Sequence, residues 1–93
     1  MRTIRRSTRF KKDYKRESRG QFGKSLDRDF IAVVSLLAND QPLPPNLRDH
    51  ALSGDWTDYR DCHVKPDLVL IYRLPDDQTL ELVRIGSHSE LGL

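Results

Sequence analysis

The stretch Leu68–Leu74 reads LVLIYRL, and its first five residues are all apolar. An apolar run of this length is typical of a central strand that is buried on both faces of a sheet. Turn-forming residues lie on either side of it, KPD at positions 65–67 and PDD at positions 75–77. We therefore expect one strand before the run, at Trp56–Val64, and another after it, at Thr79–Ile85.

A first helix is predicted upstream, with Ser7 or Thr8 as its cap and Gly20 at its end. Phe10 and Tyr14 lie one turn apart on its apolar side. A second helix is predicted from a serine cap at position 25 to about position 39. Its apolar residues recur at helical spacing and form one stripe: Leu26, Phe30, Val33, Val34 and Leu37.

With Arg2–Arg6 as an edge strand, the order of elements is β-α-α-β-β-β. This order predicts an α+β fold, in which a helical hairpin packs on a small antiparallel sheet. The 93 residues are expected to form a single domain, residues 1–93. No apolar segment is long enough to span a membrane, and the single cysteine, Cys62, excludes an internal disulfide. We therefore expect a cytoplasmic protein in which Cys62 is a small buried hydrophobic residue.

Basic residues are concentrated at the amino terminus. Residues 1–24 contain ten Lys or Arg and two acids, a net charge of +8, whereas residues 25–93 carry −6. Such a basic region suits a polyanion, either a nucleic acid or an acidic protein, although a solvated helix face explains it equally well. The candidate RNA-binding side chains in this region are Arg9, Lys11, Lys12, Lys15 and Arg16.

All three histidines are predicted to lie near strand ends. His63 and Asp67 flank a short turn, whereas His50 precedes the sheet and His88 follows its last strand. Arg84 shares a face with His88 if the extended geometry persists. Antiparallel pairing can bring these five side chains to one edge of the sheet. The sequence therefore makes a concave site with imidazole, carboxylate and guanidinium groups geometrically possible.

Such a set can cleave RNA without a metal. One base activates a ribose 2′-hydroxyl for attack on the adjacent phosphate, an acid protonates the leaving 5′-oxygen, and Arg84 stabilises the phosphate charge. Trp56 or Tyr59 could stack on a base, although Trp56 is also a candidate core residue. Arg60 and Asp61 are interpreted as a sheet-surface ion pair. The histidines lack helical metal-ligand spacing, so neither a metal nor a cofactor is expected.

The segment DHALSGDWTDYRDCHVKPD at positions 49–67, followed by the apolar run to Tyr72, resembles the YafQ family of bacterial type II toxins within the RelE/ParE superfamily. The distal RIGSH at positions 84–88 fits the same pattern. The resemblance implies a RelE-like fold and a ribosome-dependent mRNA endonuclease that cuts the codon in the A site. It assigns function to His50, Trp56, His63, Asp67, Arg84 and His88, without settling which residue is the base.

The resemblance also implies partners: the ribosome with its RNA, the mRNA, and a cognate antitoxin with an acidic or amphipathic tail, but no membrane. The carboxyl terminus departs from the family, since HSELGL at positions 88–93 lacks the usual aromatic residue and places Glu90 near His88. Two alternatives stay open, a ParE-like poison of DNA gyrase and a degenerate module that only binds antitoxin. The histidine set favours the RNA-cleaving toxin over both.

Overall fold

Five strands form one sheet in the order β1-β5-β4-β3-β2 in a computed structural model that describes residues 1–93. The strands are β1 (Thr3–Arg6), β2 (His50–Ala51), β3 (Arg60–Lys65), β4 (Leu68–Asp76) and β5 (Thr79–Gly86), and the helices are α1 (Thr8–Ser18), α2 (Gly23–Ala38) and α3 (His88–Leu91). The predicted α+β class with a helical hairpin is confirmed. β2 and α3 are additional elements that the sequence did not predict.

The apolar run occupies the centre of the sheet, as predicted. All five residues from Leu68 to Tyr72 are at most 1% exposed. β2 to β5 pair antiparallel, whereas β1 runs parallel to β5, with Thr3 opposite Thr79. The sheet is therefore mixed, and not wholly antiparallel as predicted. Parallel strands need a long crossover connection, and the segment between β1 and β5, which includes both hairpin helices, is long enough to provide it.

The α1–α2 hairpin covers one face of the sheet. The main core lies between them and contains Phe10, Leu26, Val33, Val34, Leu37, Cys62, Val64, Leu70, Tyr72, Leu80, Leu82 and Ile85, with Phe30 packed at its margin. Cys62 is fully buried, as expected, and burial raises its pKa to about 12. The opposite face carries a smaller cluster of Val69, Ile71 and Leu91, against which Trp56 and Tyr59 pack. None of the helices is long and apolar enough to cross a membrane.

Local features explain where some boundaries differ from prediction. Ser7 caps α1 as expected, since its Oγ accepts from the Phe10 amide at 2.9 Å. The predicted Ser25 cap of α2 is wrong, because the helix begins at Gly23, where a Cβ would collide with the Ser18 carbonyl. β3 begins at Arg60 rather than at position 56, because Asp58 adopts a positive φ of 79° that interrupts the extended chain.

Beyond the end of β1, helix α1 covers the free edge of β5. The Ser7 amide donates to the Leu82 carbonyl at 3.0 Å, and the Ser7 hydroxyl donates to the Val83 carbonyl at 2.7 Å. Further along, the Asp13 carboxylate accepts from the Ile85 amide at 3.2 Å, and Arg16 donates to the Ile85 carbonyl at 3.1 Å. Ser7 and the side chains of α1 therefore take the place of a neighbouring strand.

Candidate active site

The three histidines converge on the sheet face opposite the hairpin. Alternation along β3 sends Cys62 and Val64 into the helix-covered core, and Asp61 and His63 to the other face. There they border a cleft of about 740 Å³. The residues lining it are Arg48, His50, Leu52, Ser53, Asp55, Trp56, Asp61, His63, Pro66, His88, Gly92 and Leu93.

His63 and His88 form one side of this cleft. Their ring centroids are 5.0 Å apart at an interplanar angle of 59°. Asp67, which was expected near His63, has its Oδ1 3.6 Å from Nδ1 of the neighbouring His88, and its side chain is 64% exposed. Asp67 can therefore orient the His88 ring from outside the cleft.

His50 is held by the backbone and by a buried carboxylate. Its Nδ1 lies 2.7 Å from the Arg48 carbonyl, which can only accept, so Nδ1 carries the proton in this contact. In the neutral ring, Nε2 is then left with a free lone pair. Oδ1 of Asp61 is 3.1 Å from the same Nδ1, without hydrogen-bond geometry.

Asp61 is the residue that sequence reasoning missed. It is 3% exposed, and its Oδ1 has no hydrogen-bond partner. Burial raises the pKa of this carboxyl, and the positive charge of His50, His63 and His88 partly opposes the increase. The predicted surface ion pair between Arg60 and Asp61 is wrong. Position 61 lies two residues before His63 on one strand, and that spacing could have placed Asp61 on the histidine face.

Arg60 belongs instead to a cluster beneath the chain that enters β2. Its Nε lies 3.3 Å from both Asp49 Oδ1 and the Tyr72 hydroxyl. The Tyr72 hydroxyl donates to the same Asp49 oxygen. Because Asp49 immediately precedes His50, this cluster fixes the backbone that positions the histidine.

Arg84, expected in the site, does not line the cleft. Its guanidinium forms a two-point ion pair with Asp13 of α1, with Nε 2.6 Å from Oδ2 and Nη2 3.2 Å from Oδ1. A strand irregularity at this point of β5 and the end of extended geometry at Gly86 separate Arg84 from His88. Burial opposes ionisation of Asp13, but hydrogen bonds from Arg84 and the Ile85 amide outweigh it and lower the pKa of Asp13.

The two candidate stacking residues differ in position. Trp56 lines the cleft and meets Tyr59 edge to face, with the centroids 5.3 Å apart. Tyr59 lies outside the cleft lining, with the Arg73 guanidinium 5.6 Å from its ring centroid. Trp56 is therefore the aromatic side chain that a base in the cleft can reach.

The basic side chains of α1 lie away from the histidines. Arg9, Lys11, Lys12 and Lys15 are exposed, and Lys11 and Lys15 border a groove over Phe10, Tyr14 and Phe30 on the hairpin side. Arg16 differs from them, since it pairs with Asp13 at 3.0 Å and with Glu90 at 3.1 Å. Arg16 is therefore part of the internal network rather than a free cation.

The carboxyl-terminal helix carries His88 at its first position. Ser87 and Glu90 form a capping box, in which the Glu90 carboxylate accepts from the Ser87 amide at 2.9 Å. This hydrogen bond is the main reason that the pKa of Glu90 is lowered. Glu90 is thus engaged by Ser87 and Arg16, while Leu91 packs against the small apolar cluster. No group of three or more His, Cys, Asp or Glu side chains is placed to hold a metal ion.

Comparison with known proteins gives consistent matches along the chain. Residues 2–92 match a family described as a bacterial toxin of a type II toxin–antitoxin system, YafQ. The mRNA interferase toxin YafQ of Escherichia coli K12 is 38% identical over 90 residues, covering 97% of this chain and 95% of that protein. The putative toxin YafQ of Haemophilus influenzae is 45% identical over 67 residues, covering 69% of this chain and 66% of that protein.

Solved structures agree with these sequence matches. A copper-bound mutant toxin from Helicobacter pylori superimposes with a TM-score of 0.87 at 40% identity, covering 98% of this chain and 99% of that one. The YafQ chain in the DinJ–YafQ complex of Escherichia coli superimposes with a TM-score of 0.79 at 36% identity, and the match covers 98% of each chain.

Proposed function

The chain belongs to the YafQ family of type II toxins, and we propose that it cleaves mRNA in the ribosomal A site by acid–base catalysis. As a member of this family it is an mRNA interferase toxin, an endoribonuclease. The observation that carries the mechanistic proposal is the meeting of three histidines and a buried aspartate in one cleft. This arrangement supplies both proton donors and proton acceptors around a bound phosphodiester.

In the proposed mechanism His50 is the general base. Its Nδ1–H is held by the Arg48 carbonyl, so Nε2 is the nitrogen that accepts the proton of the 2′-hydroxyl. The 2′-oxygen attacks the adjacent phosphorus, and the bond from phosphorus to the 5′-oxygen breaks. His88 donates a proton to that oxygen, leaving a 2′,3′-cyclic phosphate and a 5′-hydroxyl. Asp61 stabilises the imidazolium that forms on His50.

The remaining site residues act by position. His63 lies against the His88 ring and Asp67 beside its Nδ1, so both orient the acid. Trp56 offers a stacking face for a codon base. Arg84 is assigned a positioning role, because Asp13 occupies two of its guanidinium nitrogens.

A cognate antitoxin completes the proposal. The structurally similar E. coli toxin forms a complex with DinJ, and this chain presents the exposed lysines of α1 above an apolar groove. An acidic amphipathic segment complements such a surface. Toxin bound to the ribosome, where ribosomal RNA presents phosphates, would use the same cations, and its affinity would fall with salt. The proposed site of action is the cytoplasm.

Primer extension on a defined mRNA stalled on purified ribosomes tests the function. We expect wild-type protein to cut within the A-site codon, and His88→Ala to leave the mRNA intact while still binding antitoxin. Reactions without ribosomes serve as the control. A wild type that arrests growth without cutting would support gyrase poisoning, whereas neither cutting nor arrest would leave an antitoxin-binding module.

A further inference from the structure

Arg48 is the only permanently charged cation that lines the histidine cleft. The other lining residues include two carboxylates, those of Asp55 and Asp61. With neutral histidines and ionised carboxyls, the lining side chains other than Arg48 would carry two negative charges and none that is positive. An RNA phosphate entering this cleft would then meet repulsion alone. The proposed reaction adds negative charge at phosphorus, so a cation in the cleft has a chemical purpose.

Arg48 is also free to act. The structure gives its guanidinium no ion pair, whereas Arg16, Arg60, Arg73 and Arg84 are all paired with carboxylates. Lys65, two residues after His63, is bound to Asp29 at 2.5 Å. These five basic side chains are therefore already neutralised by carboxylates of the protein itself.

The backbone holds Arg48 in place through an unusual conformation. Its φ and ψ are 52° and 45°, the left-handed region that an L-residue rarely adopts. This turn aims the Arg48 carbonyl at Nδ1 of His50. The same residue thus orients the proposed base through its main chain and offers a charge through its side chain. Strained residues of this kind concentrate at functional sites.

A second cleft begins where the first one ends. It has a volume of about 500 Å³ and shares Arg48, His63 and Pro66 with the histidine cleft. A nucleotide chain that crosses from one cleft into the other must pass these three residues. Its phosphate would lie between the guanidinium and the imidazoles, while the flanking nucleotides occupy the two clefts.

We propose that Arg48 is a catalytic residue that binds the scissile phosphate and stabilises its transition-state charge, with the RNA strand spanning the two clefts. This inference rests on the proposed endoribonuclease function and assigns the phosphate site within it. Arg48 takes the role that the sequence suggested for Arg84. Its planar guanidinium can bind two phosphate oxygens at once.

Three variants test the assignment in single-turnover cleavage of ribosome-bound mRNA. Arg48→Gly removes the charge and places at this position a residue suited to positive φ. We expect cleavage about 100-fold slower, with the maximal single-turnover rate affected more than the toxin concentration that gives half of it. Arg48→Lys keeps the charge and should lose only about 10-fold. Arg28→Ala, which removes an exposed arginine on α2, should match the wild type.

Chemical rescue separates charge from structure. Millimolar guanidinium should restore part of the activity of Arg48→Gly and none to His88→Ala. If Arg48→Gly cuts within threefold of the wild type, or if it is slow but neither guanidinium nor the lysine variant restores cleavage, the phosphate-binding role is refuted. Wild-type cleavage in the same assay shows that the endoribonuclease function survives such a result, whereas a silent wild type overturns both.

Discussion

Asp13 and Arg84 are joined by two hydrogen bonds across 71 positions of sequence, and the shorter one measures 2.6 Å between Oδ2 and Nε. Their side chains are 5% and 13% exposed, so the ion pair is largely removed from water. It ties α1 to the end of β5, directly before the helix that carries His88. The geometry of the site therefore depends on an interaction outside it.

Removal of one partner of this pair should be costly. Asp13→Asn leaves Arg84 buried without its counter-charge, and we expect the free energy of unfolding to fall by about 3 kcal/mol. Asp40→Asn is the matched control, because the Asp40 side chain that pairs with Arg2 is 62% exposed, and its loss should cost less than about 1 kcal/mol. Urea titrations of both variants decide the question, and equal losses would contradict the structural role of Asp13.

The same carboxylate should contribute to acid sensitivity. The folded protein holds the pKa of Asp13 below that of the unfolded chain, because hydrogen bonds to Arg84 and the Ile85 amide outweigh burial. Its stabilisation is thus present above the unfolded pKa of about 4 and is lost as the pH falls through the folded pKa. Between pH 6 and about 2, stability should fall less in Asp13→Asn than in the wild type. Parallel curves from urea titrations at each pH would refute this.

Asp61 should behave in the opposite way. Burial raises its folded pKa, so its ionised form opposes folding at neutral pH, and this penalty disappears as the pH falls below the unfolded pKa. Asp61→Asn is expected to unfold at an equal or higher urea concentration at pH 8, while mRNA cleavage slows at least 10-fold. Loss of both stability and activity would show that Asp61 is a structural residue.

The cluster beneath His50 offers a test of positioning. Tyr72→Phe deprives Asp49 and Arg60 of a buried partner and should cost about 1–2 kcal/mol in stability. The cleavage rate should fall with it, because β2 loses an anchor. Tyr59→Phe removes a hydroxyl from a half-buried ring and should change stability by less than about 0.5 kcal/mol. If the two variants are indistinguishable, the cluster does not position His50.

Antitoxin binding should depend on the free cations of α1. Reversing Lys11, Lys12 and Lys15 to glutamate is expected to weaken the complex at least 10-fold at moderate salt, as measured by titration calorimetry. Arg16 is omitted, since its loss would break the internal network. Arg19→Glu with Lys24→Glu changes exposed charge outside α1 and serves as the control. Unchanged affinity of the triple variant would exclude docking through α1.

Features that depend on neighbouring residues could be predicted from the sequence, whereas features that depend on long-range packing could not. The run at Leu68–Leu74 predicted the central strand, and Ser7 predicted the start of α1, because both depend on neighbouring residues. The start of α2 depends on how closely Gly23 approaches Ser18, which follows from the packing of the hairpin. No local pattern encodes that approach.

Within the site, residue types were easier to predict than partners. The convergence of His50, His63 and His88 followed from their positions at strand ends. The burial of Asp61 and the pairing of Arg84 with Asp13 did not, because each depends on an element far away in sequence. The sequence shows which residues are charged. The fold decides which partner each charged side chain has, and therefore whether it is available to bind a substrate.

The covering of β5 by α1 also bears on self-association. An uncovered strand edge is a template for pairing with another chain. Without α1, the stretch from Val83 to Ile85 would expose carbonyl and amide groups that Ser7, Asp13 and Arg16 now occupy. Partial unfolding that detaches only this helix would therefore create an aggregation-prone species, and hydrogen exchange at the Ile85 amide would report how often it forms.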